Sequence, residues 1–333
     1  QISGVTQLIG STEFERLHEG LTLTLQTALS RSGHALQVLF QYDREAVSDL
    51  LNETLQPGKQ TSQRLHLDLK DLFAERVSFL SKHCASESVY FVLWTRPSNL
   101  TTEQYQRATK DKLKYIRDKK IAPSQLTQSV IAAIPDLRDT HDAFVRSVMH
   151  DLANLNIAAD LLEVHDAVHA IRALADPAFT DKDWRPALPG DKIPLKEYDK
   201  LPHNISDILW PSLARQVLPR DAENIDLRTV RLGDQIYSCV FIDLLPKEIK
   251  SFNILLQRTL AARIPWRISF FIESDGLRSI RLKSILASVL SFSSAQNRLL
   301  SDANNLLQYV AINTDDAVVR LRVAACTWAP EGQ

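Results

Sequence analysis

The sequence predicts an α/β (α+β) fold of small, mainly antiparallel sheets covered by helices, with a helical insertion in the middle. Three observations predict it. The last third reads strand, helix, strand, two long helices, strand, and the first 97 residues repeat that order more loosely as helix, strand, helices, strand. Gly233-Asp234 sits between two short β-type runs, as a hairpin turn does. The chain has 333 residues with 44% apolar and 24% charged side chains, enough for one large or two modest domains.

Ser11 opens a helix whose apolar face carries Phe14, Leu17, Leu21, Leu25, Ala28 and Leu29, and Gly33 closes it. The run from His34 to Tyr42 is a strand. A short helix from Glu45 to Leu55 should stop near Pro57-Gly58. Leu65, Leu69, Leu72, Phe73, Val77 and Leu80 then mark one long helix from Thr61 to His83. Ser88 to Thr95 is a near-continuous β-branched and aromatic run, the pattern of a buried strand, and Arg96-Pro97 ends it. The helical middle comprises a highly charged helix from Thr101 to Lys119 and two amphipathic helices, Leu137 to Leu152 and Ile157 to Ala175, which can pack as a hairpin.

A Pro-dense stretch over 176–204 (Asp176-Pro177, Pro186, Pro189-Gly190, Pro194, Pro202) reads as a linker or long ordered loop between an α/β half over 1–175 and a second over 205–333. In the second half, strands are predicted near 228–243, 266–273 and 317–327, alongside those near 34–42 and 88–95 in the first. Pro246 starts a helix carrying Ile249, Phe252, Leu256 and Leu260, and two more helices run from Leu277 to Phe292 and Ser294 to Val310. In the final strand Val319, Leu321, Val323 and Ala325 face one way, and Arg320 and Arg322 the other.

Composition excludes some functions. With 39 basic and 40 acidic side chains the formal net charge is −1, so no global attraction to nucleic acid or anionic lipid is expected. No apolar run approaches the length of a membrane helix. Cys84, Cys239 and Cys326 are odd in number and form no C-x-x-C pair, so buried, reduced thiols in a reducing compartment are expected, and a cytoplasmic location with them. The chain opens on Gln1 and its sole methionine is Met149, which reads as a piece of a longer protein.

Nine glycines stand at positions 4, 10, 20, 33, 58, 190, 233, 276 and 332, and no two are five apart. A P-loop needs that spacing so that its backbone N–H groups can wrap phosphates. The dinucleotide fingerprint and the nucleophile elbow fail on glycine spacing too. No catalytic residue and no cofactor is therefore assigned. Three His-Asp doublets (His141-Asp142, His150-Asp151, His165-Asp166) offer an alternative, a metal-dependent phosphohydrolase. His165 and His169 are four apart on one helix face, as two ligands should be, and His141 would join them. Asp166 stands where a zincin needs Glu, and His141 continues the apolar face of Leu137, Phe144 and Val148, so packed or solvated histidines are preferred to a metal site. Trp210, Trp328, Arg320 and Arg322 are the interface candidates.

Four stretches together resemble a known family. They are the helix and strand from Ser11 to Tyr42; the helix with Glu75-Arg76 and Leu80 leading into Val89-Tyr90-Phe91-Val92-Leu93-Trp94-Thr95-Arg96-Pro97; the hairpin Val230-Arg231-Leu232-Gly233-Asp234 continuing to Leu244-Leu245-Pro246; and the terminal strand from Val318 to Pro330. The pattern is similar to the N-terminal domain of the type IV secretion and conjugation ATPases (the TraC, TrbE and CagE group), and within it to the IcmB/DotO/TraU branch of Dot/Icm-type systems. The resemblance implies a domain that does not hydrolyse ATP itself. It implies self-association, attachment to inner-membrane or coupling components of a secretion system, and a cytoplasmic position peripheral to the bacterial inner membrane. It also implies that the family's first strand precedes Gln1, leaving one sheet edge open.

Overall fold

A computed structural model describes residues 1–5, 7–44, 46–119, 135–188, 212–242, 264–274 and 317–331, with short stretches between 254 and 312. In chain order its elements are β1 (Ile2–Val5), α1 (Ser11–Leu29), β2 (His34–Asp43), α2 (Val47–Thr54), α3 (Gln56–Arg64), α4 (Lys70–His83), β3 (Ser86–Thr95) and α5 (Thr102–Lys119). They continue with α6 (Pro135–Asn154), β4 (Ile157–Ala159), α7 (Val164–Ala175), α8 (Leu213–Val217), β5 (Ala222–Asn224), β6 (Thr229–Leu232), β7 (Gln235–Ile242), β8 (Trp266–Glu273) and β9 (Arg320–Pro330).

The mixed α/β class and the antiparallel pairing hold. The strands form one nine-stranded sheet in the order β4-β1-β3-β2-β8-β9-β7-β6-β5. Separate small sheets were the sequence expectation, and here the structure differs. β2 pairs with β3 along its whole length on one edge, from His34↔Thr95 to Asp43↔Ser86. On its other edge it pairs with β8, from Ala35↔Glu273 to Tyr42↔Trp266. That second ladder fuses the halves over 1–175 and 205–333 into one sheet. The physical reason is backbone satisfaction: a long apolar strand with an open edge leaves a row of N–H and C=O groups unpaired, and a strand far along the chain serves as well as a near one. Alternation within a strand says which way side chains point, not which strand lies beside it.

Alternation gives the sheet two distinct faces. One carries Leu36, Val38, Phe40, Phe270, Ile268 and Val323; the other carries Trp94, Gln37, Phe271, Glu273, Arg320 and Arg322. The first face is the core. Phe144, Val148 and Leu152 of α6 pack there with Leu21 and Ala28 of α1 and with Phe91 and Leu93 of β3. Trp266, Ile268 and Val323 form a second cluster with Phe40, Tyr42, Phe270 and Ala325. Burying a side chain such as Leu152 contributes about 2 kcal/mol, and here it fixes α6 across the sheet.

Further expectations change. The single helix over Thr61–His83 is two, α3 and α4, broken where His66 takes a positive φ of 53°. The short helix expected over Glu45–Leu55 is α2, which ends at Thr54 as expected, but a further helix, α3, follows at once with Pro57 in its first turn, where the missing N–H costs nothing. The helix expected over Ile157–Ala175 begins only at Val164. Asn156 turns the chain at φ 56°, and Ile157–Ala159 then pairs as β4 with β1, opposite Val5 to Ile2. Asn tolerates that left-handed turn better than most residues, and the strand satisfies the outer edge of β1. β1 and β4 thus lie beyond β3, and the sheet ends on that side at β4. The short β5 gave no sequence signal. The helices expected after Pro246 and over 277–310, and the Pro-dense segment over 189–204, lie largely or wholly outside the described residues. Among the described residues no helix is long and apolar enough to cross a membrane.

Candidate functional site

The face opposite the core carries the most unusual side chain. Glu273 ends β8 and is buried, with its carboxylate 5% exposed. Burying one carboxylate costs several kcal/mol unless cations surround it. Three arginines do so. Arg96 Nη1 lies 2.5 Å from Oε1, Arg322 Nη2 3.2 Å from Oε2 and Arg320 Nη1 3.7 Å from Oε2. Oε2 makes only these ionic contacts and accepts no well-formed hydrogen bond among the described residues.

Strand register builds this cluster. Trp94 lies opposite Ala35, Ala35 opposite Glu273, and Glu273 opposite Arg320, so one row crosses four strands. Two residues along, Gln37 lies opposite Phe271 and Phe271 opposite Arg322. Ala35 matters because it is small: Arg96, just past the end of β3, can reach over it to Glu273. The Arg96 N–H donates to the carbonyl of Gly33, which anchors that reach, and its guanidinium lies 5.7 Å from the Phe271 ring centre. Trp94 meets Phe271 edge-on with ring centres 6.3 Å apart.

Three guanidinium groups against one carboxylate leave a local excess of positive charge on a chain whose net charge is −1. Arg96 remains 48% exposed, Arg320 45% and Arg322 63%, and Trp94 is 46% exposed. Each guanidinium meets Glu273 through one nitrogen. A planar, multi-donor, cationic surface beside an aromatic ring suits a carboxylate- or phosphate-bearing partner.

The sequence singled out Arg320 and Arg322 and placed them correctly on one strand face. It missed Arg96 and Glu273. The alternation of WRISFFIE puts Glu273 on the polar side of β8, but only the ladder with β9 shows that it meets the arginines. Trp328, an interface candidate from sequence, is 5% exposed; it lies opposite Tyr237, with ring centres 6.3 Å apart, and packs within the protein as a buried anchor. Trp210 lies outside the described residues.

The histidines are not brought together. His141 on α6 lies near β3, where Thr95 Oγ1 is 3.0 Å from its Nδ1 and 3.2 Å from Nδ1 of His34. Asn99 Nδ2 donates to the Ser32 carbonyl and to Nε2 of His34. Since that amide group only donates, a neutral His34 accepts at Nε2 and donates from Nδ1 to Thr95, whose hydroxyl then donates to His141. Burial, with Arg31 and His141 nearby, lowers the His34 pKa below its ordinary value; a backbone hydrogen bond with Trp94 opposes the shift. His169 on α7 instead contacts the carbonyl of Asp181 and the rings of Phe179 and Trp184, which meet edge-on with centres 5.7 Å apart and hold the Arg172 guanidinium in the corner between them, at 4.3 and 4.2 Å. Among the described residues no three His, Cys, Asp or Glu side chains are arranged to hold a metal ion.

A cavity of about 330 Å³ lies between β3, α6 and α7, with Tyr90, Val92, Val145, Met149 and Ile171 in its apolar wall. The cysteines depart from expectation: Cys239 is exposed, Cys84 and Cys326 are half-buried, and all three are free thiols. Set beside known proteins, the chain matches no family model and no curated protein.

Proposed function

We propose that this chain is a non-catalytic assembly and docking domain of the type IV secretion ATPase kind, and that it engages an acidic segment of its partner through Arg96, Arg320 and Arg322. The partner is a second copy of the chain or an inner-membrane or coupling component of the secretion system. The observation that carries the reading is the arginine cluster itself: three exposed guanidinium groups organised by one buried carboxylate, beside a half-exposed tryptophan. Arginine and tryptophan are the residue types that most often anchor protein interfaces. Phe14 and Leu23 of α1 and Leu72 and Phe79 of α4 are also more than half exposed, which supplies apolar surface for an assembly. The missing glycine spacing for a P-loop agrees with a domain that positions a motor and does not power it.

Sedimentation of the purified chain at rising concentration tests the reading, with Arg320→Glu/Arg322→Glu as the comparison. Self-association, or binding to a purified secretion-system component, should weaken about tenfold or more in the double variant, because charge reversal sets acid against acid. Tight ATP binding by the chain, or association indifferent to the reversal, overturns it. A salt-dependent titration with single-stranded DNA separates the nucleic-acid reading, which requires a steep loss of affinity with salt.

A further inference from the structure

We propose that Cys239 and Cys326 form a reversible disulfide, oxidised by an anionic low-molecular-weight disulfide that enters the cleft above them. The two thiols are directly opposite each other on neighbouring antiparallel strands, in a register unbroken from Gln235↔Pro330 to Ile242↔Val323. The Glu331 N–H donates to the Asp234 carbonyl directly opposite it, so by alternation along the ladder Cys239 and Cys326, five steps on, form a non-hydrogen-bonded pair, the closer kind, with Cα atoms about 4.5 Å apart and within the span of a disulfide. Both side chains lie on the face of Tyr237 and Arg267, and both are free thiols.

Their surroundings assign the thiols different parts. Cys239 is exposed and can be attacked from solvent. Cys326 is half-buried on the inner strand, where Arg267 Nη2 donates to its sulfur at 3.4 Å. Directly opposite Cys239 on the inner strand, that sulfur is placed to attack second, once Cys239 carries the mixed disulfide. Above them is a cleft of about 750 Å³ whose lining includes Arg215, Arg220, Arg267, Asp221 and Tyr237. Arg215 Nη1 donates to Asp221 at 2.8 Å, so Arg220 and Arg267 set the sign of the cleft. That charge favours an anionic peptide disulfide such as oxidised glutathione over a cationic one.

The steps balance. The Cys239 thiolate attacks the small disulfide, forming a mixed disulfide and releasing one small thiolate. The Cys326 thiolate then attacks the Cys239 sulfur, closing the protein disulfide and releasing the second. The protein dithiol is oxidised by two electrons and the small disulfide is reduced to two thiols. Cys84, between α4 and β3, takes no part.

The test treats the native full chain with oxidised glutathione, blocks remaining thiols with an alkylating agent, and maps the peptides by mass spectrometry. In the parent and in Cys84→Ser, Cys239 and Cys326 should be lost together as one crosslinked peptide, with no glutathione retained, and dithiothreitol should restore both. Cys326→Ser should hold a stable glutathione on Cys239, and Cys239→Ser should react about tenfold more slowly. Circular dichroism of each variant checks the fold. A persistent glutathione on Cys239 of the parent, or Cys84 in the crosslink, overturns the site. Cystamine reacting as fast as oxidised glutathione overturns the anionic reagent. Neither result depends on the docking reading.

Discussion

Replacing Glu273 with Gln keeps the shape of the side chain and removes its charge, and two effects then compete. The neutral amide no longer carries the desolvation cost of a buried carboxylate, which favours the variant. Against that, three guanidinium groups lose their common partner at 2.5, 3.2 and 3.7 Å. An exposed ion pair contributes about 0.2–1 kcal/mol, and breaking a fully buried one costs about 3–5 kcal/mol. Glu273 is buried while its partners are about half exposed, so the truth lies between these limits. The arginines can turn to water, which caps the repulsion between them. We expect a net loss of about 2 kcal/mol. With a urea slope of about 3 kcal/mol/M for a chain of this size, the denaturation midpoint falls by about 0.7 M. Arg322→Gln alone should cost less than about 1 kcal/mol, because its side chain is 63% exposed. Combined with Glu273→Gln it should recover part of the loss, since one unbalanced cation is removed, giving a coupling of about 1 kcal/mol. A Glu273→Gln protein as stable as the parent, or additive double-variant losses, refutes the account of the cluster. The same substitution should strengthen binding of an acidic partner while weakening the fold, a pair of opposite signs that general damage does not produce.

Two other outcomes follow from the same geometry. Burial holds His34 below its ordinary pKa of 6.5, so at pH values just under 6.5 the unfolded chain takes up a proton that the folded chain refuses. Stability should therefore fall as pH drops below about 6.5 and level off once the folded His34 titrates as well; thermal midpoints of His34→Gln should show a flatter dependence over that window. Gly33→Ala should be costly: φ there is +89° and an added Cβ would meet the Asn99 backbone nitrogen at 2.6 Å, so a loss of about 2 kcal/mol or more is expected by urea denaturation.

How legible the fold was depends on how local its causes are. α1, β2, β3, β7, β8 and β9 were readable because their apolar period and flanking Gly or Pro lie within the element itself. The turns at His66 and Asn156 were not: at His66 the chain caps α3 locally, the Leu67 N–H donating to the Ser62 carbonyl, with no glycine to mark the stop, while after Asn156 β4 exists to pair with β1, about 150 residues away in sequence. Three apolar or small residues, Ile157–Ala159, read equally well as the start of α7. The fusion of two halves into one sheet was hidden for the same reason, since nothing inside β2 names β8 as its neighbour.

The candidate site shows the same division more sharply. Arg320 and Arg322 were visible as basic positions alternating with Leu321 and Val323, but a basic strand face in isolation is ordinary, and solvation explains it. Glu273 changes that meaning, because a carboxylate in the interior must be matched by cations that cannot all leave. Arg96 and Arg320 are 224 positions apart in the chain, and they share a partner because β2, carrying only Ala35 at that row, separates β3 from β8. A larger residue at position 35 would stand between Arg96 and Glu273 and leave the carboxylate with only the two arginines of β9, both on Oε2. The small side chain in the middle of the row is thus as much a part of the site as the charges, and no inspection of the charged residues alone would have pointed to it.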